Sequence, residues 1–170
     1  MQDHHGKITF FGNPLTLYGN EVKVGEQAPD FTALSNDLSP TTLSQFKGKK
    51  VIISTVPSLD TGVCSTQTRK FNEEAAGLGE DAVVLTLSCD LPFAQKRWCG
   101  AEGVDRVITL SDHRDLDFAM KYGLLIKELR LLARSVMVVD KEGVVRYKEL
   151  VNEVTHEPDY SAAIEALKAL

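Results

Sequence analysis

The 170-residue chain predicts an α/β fold, a central mixed β-sheet flanked by helices and preceded by an N-terminal β-hairpin. Three observations carry that prediction. Apolar, β-branched runs of strand length alternate with segments whose apolar residues recur every three or four positions. The strand-like runs are continuously apolar rather than alternating, as expected where both faces of a sheet are covered. No repeat, low-complexity stretch or Pro/Gly-rich linker divides the chain, and 43% hydrophobic residues suffice for one core, so residues 1–170 read as a single domain.

The elements follow in order. Ile8–Phe11 and Pro14–Leu17, separated by Gly12-Asn13, read as the N-terminal hairpin. Lys50–Val56 is β-branched and apolar between Gly48 and Pro57, which predicts a buried strand. After Asp60-Thr61, either of which supplies an N-cap, Cys64, Thr68, Phe71, Ala75 and Leu78 fall on one helical face. Ala82–Ser88 is a second buried strand. Asp90-Leu91-Pro92 then opens a short helix, with Gly100 predicted as its C-terminal cap. Val107–Ser111 is a third strand, and Phe118, Met120 and Tyr122 mark a helix after Asp115. Ser135–Asp140 and Val144–Leu150 flank Lys141-Glu142-Gly143 as a second hairpin. Tyr160, Ala163, Ile164, Leu167 and Leu170 stripe a terminal helix that starts after Glu157-Pro158-Asp159. Strand–helix alternation closed by a hairpin predicts a thioredoxin-like fold.

The net charge of −5 and singly scattered Lys and Arg give no basic surface for nucleic acid or for anionic membranes. No apolar run resembles a secretory leader in the first twenty residues, or approaches the ~20 residues that span a bilayer elsewhere. The expected location is the cytoplasm. Three cysteines, Cys64, Cys89 and Cys99, are too few and too odd in number for a disulfide scaffold. The dispersed His4, His5, His113 and His156 share no short spacing with them, and no nucleotide-binding glycine motif is present. No metal or other cofactor is expected.

Cys64 follows the strand-to-helix connection Pro57–Thr61, the end of an open α/β sheet at which ligands bind. Within about one turn of the helix start, unsatisfied N–H groups and the macrodipole favour a thiolate, the form of cysteine that acts as a nucleophile. A lone cysteine there is more often a small core residue. Cys99 sits at the opposite, negative end of its own helix, where a thiol is less activated and where the last turn can fray. Cys89 follows the second strand. With much of the stretch from Cys89 to Cys99 helical, their Cα atoms lie roughly 10 Å or more apart. A disulfide needs about 4.4–6.8 Å, so that pair is not expected to bridge and Cys89 reads as structural.

The decisive pattern is P-x-x-x-T-x-x-C, met by Pro57, Thr61 and Cys64. Here the sequence resembles the peroxiredoxins and, within them, the thiol peroxidases. PSLDTGVCSTQTRKFN, LPFAQKRWCGAEG, LLARSVMVVD and EPDYSAAIEALKAL all match in order, so the resemblance covers essentially the whole chain. It implies a hydroperoxide substrate, with Cys64 as the attacking thiolate and Thr61 placing its hydroxyl beside it. Pro57 would shield the sulfur from water, and Arg134 would supply a permanent cation to thiolate and peroxide. It also implies that Cys99 condenses with oxidised Cys64 to an intramolecular disulfide, that thioredoxin regenerates the dithiol, and that the protein is a homodimer. Arg69 is a second cation close to Cys64 and equally reads as a solvated helix residue.

Other chemistries fit less well. A dithiol oxidoreductase uses C-x-x-C, but Ser65, Thr66 and Gln67 follow Cys64. A thiol phosphatase needs an arginine six residues after its cysteine, where Lys70 stands. A redox-inert binding module keeping only the fold is the alternative from another class. Joint retention of Pro57, Thr61, Cys64 and Arg134 argues against it.

Overall fold

The computed structural model describes residues 1–170. Strands β1 (Gln2–Phe10) and β2 (Asn13–Gly19) pair antiparallel, with Phe10 opposite Asn13. The two-residue turn is Phe11-Gly12, one position earlier than the sequence predicts. Both residues take positive φ (50° and 79°), the backbone twist that two-residue hairpins require and that Gly12 supplies without strain. Both strands also extend beyond the predicted limits.

Two short strands, β3 (Thr32–Leu34) and β4 (Pro40–Thr42), and a 3-10 turn (Leu43–Phe46) follow. Next come β5 (Lys50–Thr55), α1 (Gly62–Ala75), β6 (Ala82–Ser88), α2 (Pro92–Glu102) and β7 (Ile108–Ser111). Helix α3 (Asp117–Tyr122) leads into β8 (Leu125–Ile126) and β9 (Leu131–Leu132). The hairpin β10 (Ser135–Val139) and β11 (Val145–Leu150) precedes α4 (Tyr160–Lys168).

The central sheet has seven strands in the order β11-β10-β5-β6-β7-β3-β4. β5, β6 and β7 are parallel, whereas β10 runs antiparallel to both β5 and β11, so the sheet is mixed as predicted. A second, four-stranded sheet orders β1-β2-β8-β9. The pleat divides the core by residue parity. Ile53, Leu85, Leu87, Met137 and Val139 face α3 and the N-terminal hairpin, with Phe118 and Tyr122. Ile52, Val84, Val136 and Val138 face α1, α2 and α4, with Phe71, Trp98, Ile164 and Cys64. Burial on both sides explains the unbroken apolar runs.

Helix ends correct three expectations. α1 stops at Ala75 and leaves Leu78 beyond it, where Gly77 and Gly79 flank a residue that still packs on the core. α2 runs past Gly100 to Glu102, and Gly103 (φ 65°) takes the left-handed cap. Ala101 and Glu102 are good helix formers, and local sequence alone does not choose between two glycines three residues apart. Leu170 lies beyond α4 and is exposed rather than part of its buried stripe. The predicted start of α4 holds, since Asp159 caps it by accepting from the Ala162 N–H at 3.0 Å. At α3 the cap comes from a distance. Buried Asp112 accepts from the Phe118 and Ala119 amides at 3.0 and 2.9 Å, and burial pushes its carboxyl up to about 6. No helix is long and apolar enough to cross a membrane.

Candidate active site

β5 ends at Thr55, and buried Pro57 turns the chain into the connection that ends at Thr61, the N-cap of α1 (φ −98°, ψ 150°). Thr61 is exposed; its N–H and its hydroxyl both donate to the Ser58 carbonyl, at 3.2 and 3.0 Å. The hydroxyl oxygen keeps its acceptor capacity. Cys64 is the third residue of α1 and is fully buried. Its sulfur therefore lies in the first turn, where backbone N–H groups have no intrahelical partner and no acidic side chain competes for them.

A cation meets it there. Arg134 immediately precedes β10 and is 2% exposed. Its guanidinium spreads over three acceptors: Nη2 donates to Cys64 Sγ at 3.2 Å, Nη1 to Gln67 Oε1 at 2.9 Å, and Nε to the Val154 carbonyl at 3.0 Å. The planar fork suits three fixed partners, as a lysine ammonium does not. A buried charge needs hydrogen-bond partners, and each of the three guanidinium nitrogens has one. Strand β10 is fixed at the same point, because the Thr55 hydroxyl donates to the Ala133 carbonyl at 2.6 Å and lies 2.8 Å from Ser135 Oγ.

Gln67 is the residue that motif reading passes over. It is fully buried, one turn after Cys64, and its Nε2 donates to Ser54 Oγ at 2.7 Å while its Oε1 receives Arg134. The available signal was a glutamine at i+3 from the cysteine, on a helical face that is otherwise core. Asp90 is the second such residue. It accepts from Ser58 Oγ at 2.7 Å and from the Leu59 N–H at 2.8 Å, fixing the connection that leads into Cys64. Arg69 Nη1 donates to Ser65 Oγ and pairs with the exposed Glu102 carboxylate, each at 3.0 Å.

Cys99 lies in the last turn of α2, and its carbonyl accepts from the Gly103 and Val104 amides. Its half-buried sulfur sits 3.7 Å from Thr109 Oγ1 on β7, and burial raises its thiol above the ordinary value. Gln67 grips Ser54, which is in register with Thr86 and, through it, with Thr109. The footholds of Cys64 and Cys99 are thus two strand spacings apart, roughly 10 Å. All three cysteines are free. Cys89 is half-buried at the end of β6; burial, then the charges of Asp112 and Asp90, push its thiol up to about 12.

The arrangement places a buried sulfur at a helix N-terminus against a fixed guanidinium, with a second thiol, Cys99, anchored two strands away beside Thr109. Comparison with known proteins identifies the family. The Redoxin family model matches residues 23–164. The chain is 62% identical to the thiol peroxidase of Bacillus subtilis over 164 residues, 96% of this chain and 98% of that protein. It is 63% identical to the thiol peroxidase of Halalkalibacterium halodurans, covering 95% and 97% of the two chains. Among solved structures, a peroxiredoxin-like protein from Aquifex aeolicus superposes with a TM-score of 0.90 at 44% identity over 98% of each chain. A thiol peroxidase from Chromobacterium violaceum shares the fold at a TM-score of 0.85 and 20% identity, over 99% of this chain and 98% of that one. The chain belongs to the thiol peroxidases of the peroxiredoxin family.

Proposed function

We propose that the protein reduces hydrogen peroxide and organic hydroperoxides through Cys64. The observation that carries this reading is the 3.2 Å contact from Arg134 Nη2 to the buried Cys64 Sγ in the first turn of α1. Guanidinium and helix N-terminus both favour the anionic sulfur, and exclusion of water strengthens each of them. The thiolate attacks one peroxide oxygen and the O–O bond breaks. Cys64 becomes a sulfenic acid, and the departing oxygen takes up a proton to leave as water or an alcohol. Arg134 stabilises the charge as it moves from sulfur to oxygen. The Thr61 hydroxyl oxygen, its proton given to the Ser58 carbonyl, accepts from the O–H of the bound peroxide and orients it. Pro57 narrows the pocket and keeps water from the thiolate.

Cys99, whose thiol burial raises above the ordinary value, gives up its proton as it attacks the sulfenic sulfur of Cys64. The S–S bond of the intramolecular disulfide forms, the S–O bond breaks, and the sulfenic oxygen leaves with that proton as water. A thioredoxin-type dithiol reduces the disulfide, and the working unit is a cytoplasmic homodimer of single-domain chains spanning 1–170. Cys64→Ser tests the first step, because a serine hydroxyl is a poor nucleophile at neutral pH. The variant is expected to retain its fold and lose consumption of an organic hydroperoxide; substantial residual turnover refutes the assignment. Cys99→Ser is expected to consume one equivalent and stall as the sulfenic acid. Peptide mass mapping of the peroxide-treated wild type should give a Cys64–Cys99 bridge, and a dominant bridge to Cys89 refutes the pairing.

A further inference from the structure

We propose that Asp90 is a positioning residue for both halves of the reaction, a latch that holds the Cys64 connection in its attacking geometry and must let go for the disulfide to form. The inference rests on the Cys64–Cys99 reading above. Asp90 belongs by sequence to the Cys99 segment, two residues before α2 begins at Pro92. Its carboxylate belongs by contact to the Cys64 segment. Oδ1 accepts from Ser58 Oγ at 2.7 Å, and Oδ2 from the Leu59 N–H at 2.8 Å and from Ser88 Oγ at 2.8 Å. Its backbone carbonyl accepts from the Ser111 hydroxyl. Ser88 and Ser111 close β6 and β7, so the carboxylate clamps the connection to the rigid end of the sheet.

No Lys or Arg pairs with Asp90, so its half-buried charge is held by these donors alone. Hydrogen bonds to an ionised acceptor are about twice as strong as neutral ones, which suits a clasp between segments thirty residues apart. Both segments that must move to join the sulfurs therefore meet at one side chain. The strand positions that hold Cys64 and Cys99 lie two strand spacings apart, whereas a disulfide needs Cα atoms about 4.4–6.8 Å apart. In the joining step an S–S bond forms and the S–O bond of the sulfenic acid breaks. The released hydroxide takes the proton of the Cys99 thiol and leaves as water, peroxide having been the oxidant. While Asp90 holds Ser58 and Leu59, α1 keeps its first turn and Cys64 stays with Arg134. Release of that grip is what lets the turn open toward Cys99.

The test separates the two steps in single-turnover experiments with hydrogen peroxide. Attack is followed in the Cys99→Ser background by trapping the sulfenic acid with a cyclic 1,3-diketone and mass spectrometry. Disulfide formation is followed in the two-cysteine protein by acid quench and peptide mapping. Asp90→Ala is expected to slow attack and to speed disulfide formation, each by about tenfold, the weight of one charge-assisted hydrogen bond. Ser58→Ala, which removes one of the three side-chain bonds, should move both rates in the same directions by less. Opposite signs are the discriminating result, since a merely structural residue slows both steps. Equal slowing of both steps, or no change in either, overturns the latch. Should Asp90→Ala fail to fold by thermal melting, Asp90→Asn and Ser58→Ala carry the same test, because each keeps part of the clasp. If the wild type forms no Cys64–Cys99 bridge, the pairing falls, while the attack rate in the Cys99→Ser background still decides whether Asp90 holds the connection.

Discussion

Replacing Gln67 by Met removes one polar group from the centre of the site while nearly preserving its volume. Wild-type Gln67 accepts from Arg134 Nη1 at 2.9 Å and donates to Ser54 Oγ at 2.7 Å, with no exposure to water. The thioether replaces neither contact. Loss of a hydrogen bond to a charged group costs roughly 1.5–3 kcal/mol when the charged partner stays buried without it. The added apolar burial of Met offsets part of that, so a net destabilisation of about 2 kcal/mol is expected. In a chain of this size it corresponds to roughly 4–8 °C in melting temperature. Activity should fall further than stability. Arg134 keeps Val154 as an anchor but loses the one that sets its plane against Cys64. Misplacement by about 1 Å commonly costs on the order of a hundredfold. The assay is stopped-flow consumption of hydrogen peroxide at a temperature where both proteins are folded, paired with thermal melting. Gln67→Glu keeps an acceptor for Arg134 and should retain more activity than Gln67→Met. Equal rates for Gln67→Met and wild type refute the argument that Gln67 positions Arg134.

Three further expectations follow from the same geometry. Arg134→Lys keeps the charge but serves one of three acceptors, so its peroxide rate should drop on the order of a hundredfold; an unchanged rate removes Arg134 from the mechanism. Asp112 holds its proton to about 6 in the folded state, against roughly 3.9 when unfolded. Its contribution to stability is thus complete below about pH 4 and is lost as pH rises to about 6. Asp112→Asn should therefore gain on wild type by roughly 2–3 kcal/mol between pH 4 and 7 in urea unfolding, and parallel pH profiles of the two proteins contradict this. Cys89→Ser should turn over within about twofold of wild type, because a thiol pushed up to about 12 is not a nucleophile at neutral pH; a larger loss in steady-state assays gives Cys89 a role.

Much of this was legible in one dimension. Strands such as Ala82–Ser88 are apolar on both faces, so their limits appear as plain apolar runs. Helix α1 shows as a three- and four-residue rhythm, and α4 announces its start through Asp159. Pro57, Thr61 and Cys64 are legible because their spacing reflects local geometry around one strand-to-helix turn, whereas Cys99 and Arg134 are read through the family resemblance of their own segments. The short strands β3, β4, β8 and β9 are two or three residues each, too brief to set up a period.

The sequence by itself determined the alternation of elements, the placing of Cys64 at a helix start and the family. Only the tertiary structure decided what surrounds the sulfur. Gln67 and Asp90 act through partners 67 and 32 residues away, Arg134 and Ser58. Their meeting depends on β10 lying beside β5 and on β6 ending beside the Pro57 turn, facts of sheet order rather than of spacing. The end of α2 was likewise settled by which of two glycines the fold holds at positive φ. Polar groups are read by whatever the fold brings within about 3 Å of them, whereas apolar periodicity is read along the chain itself.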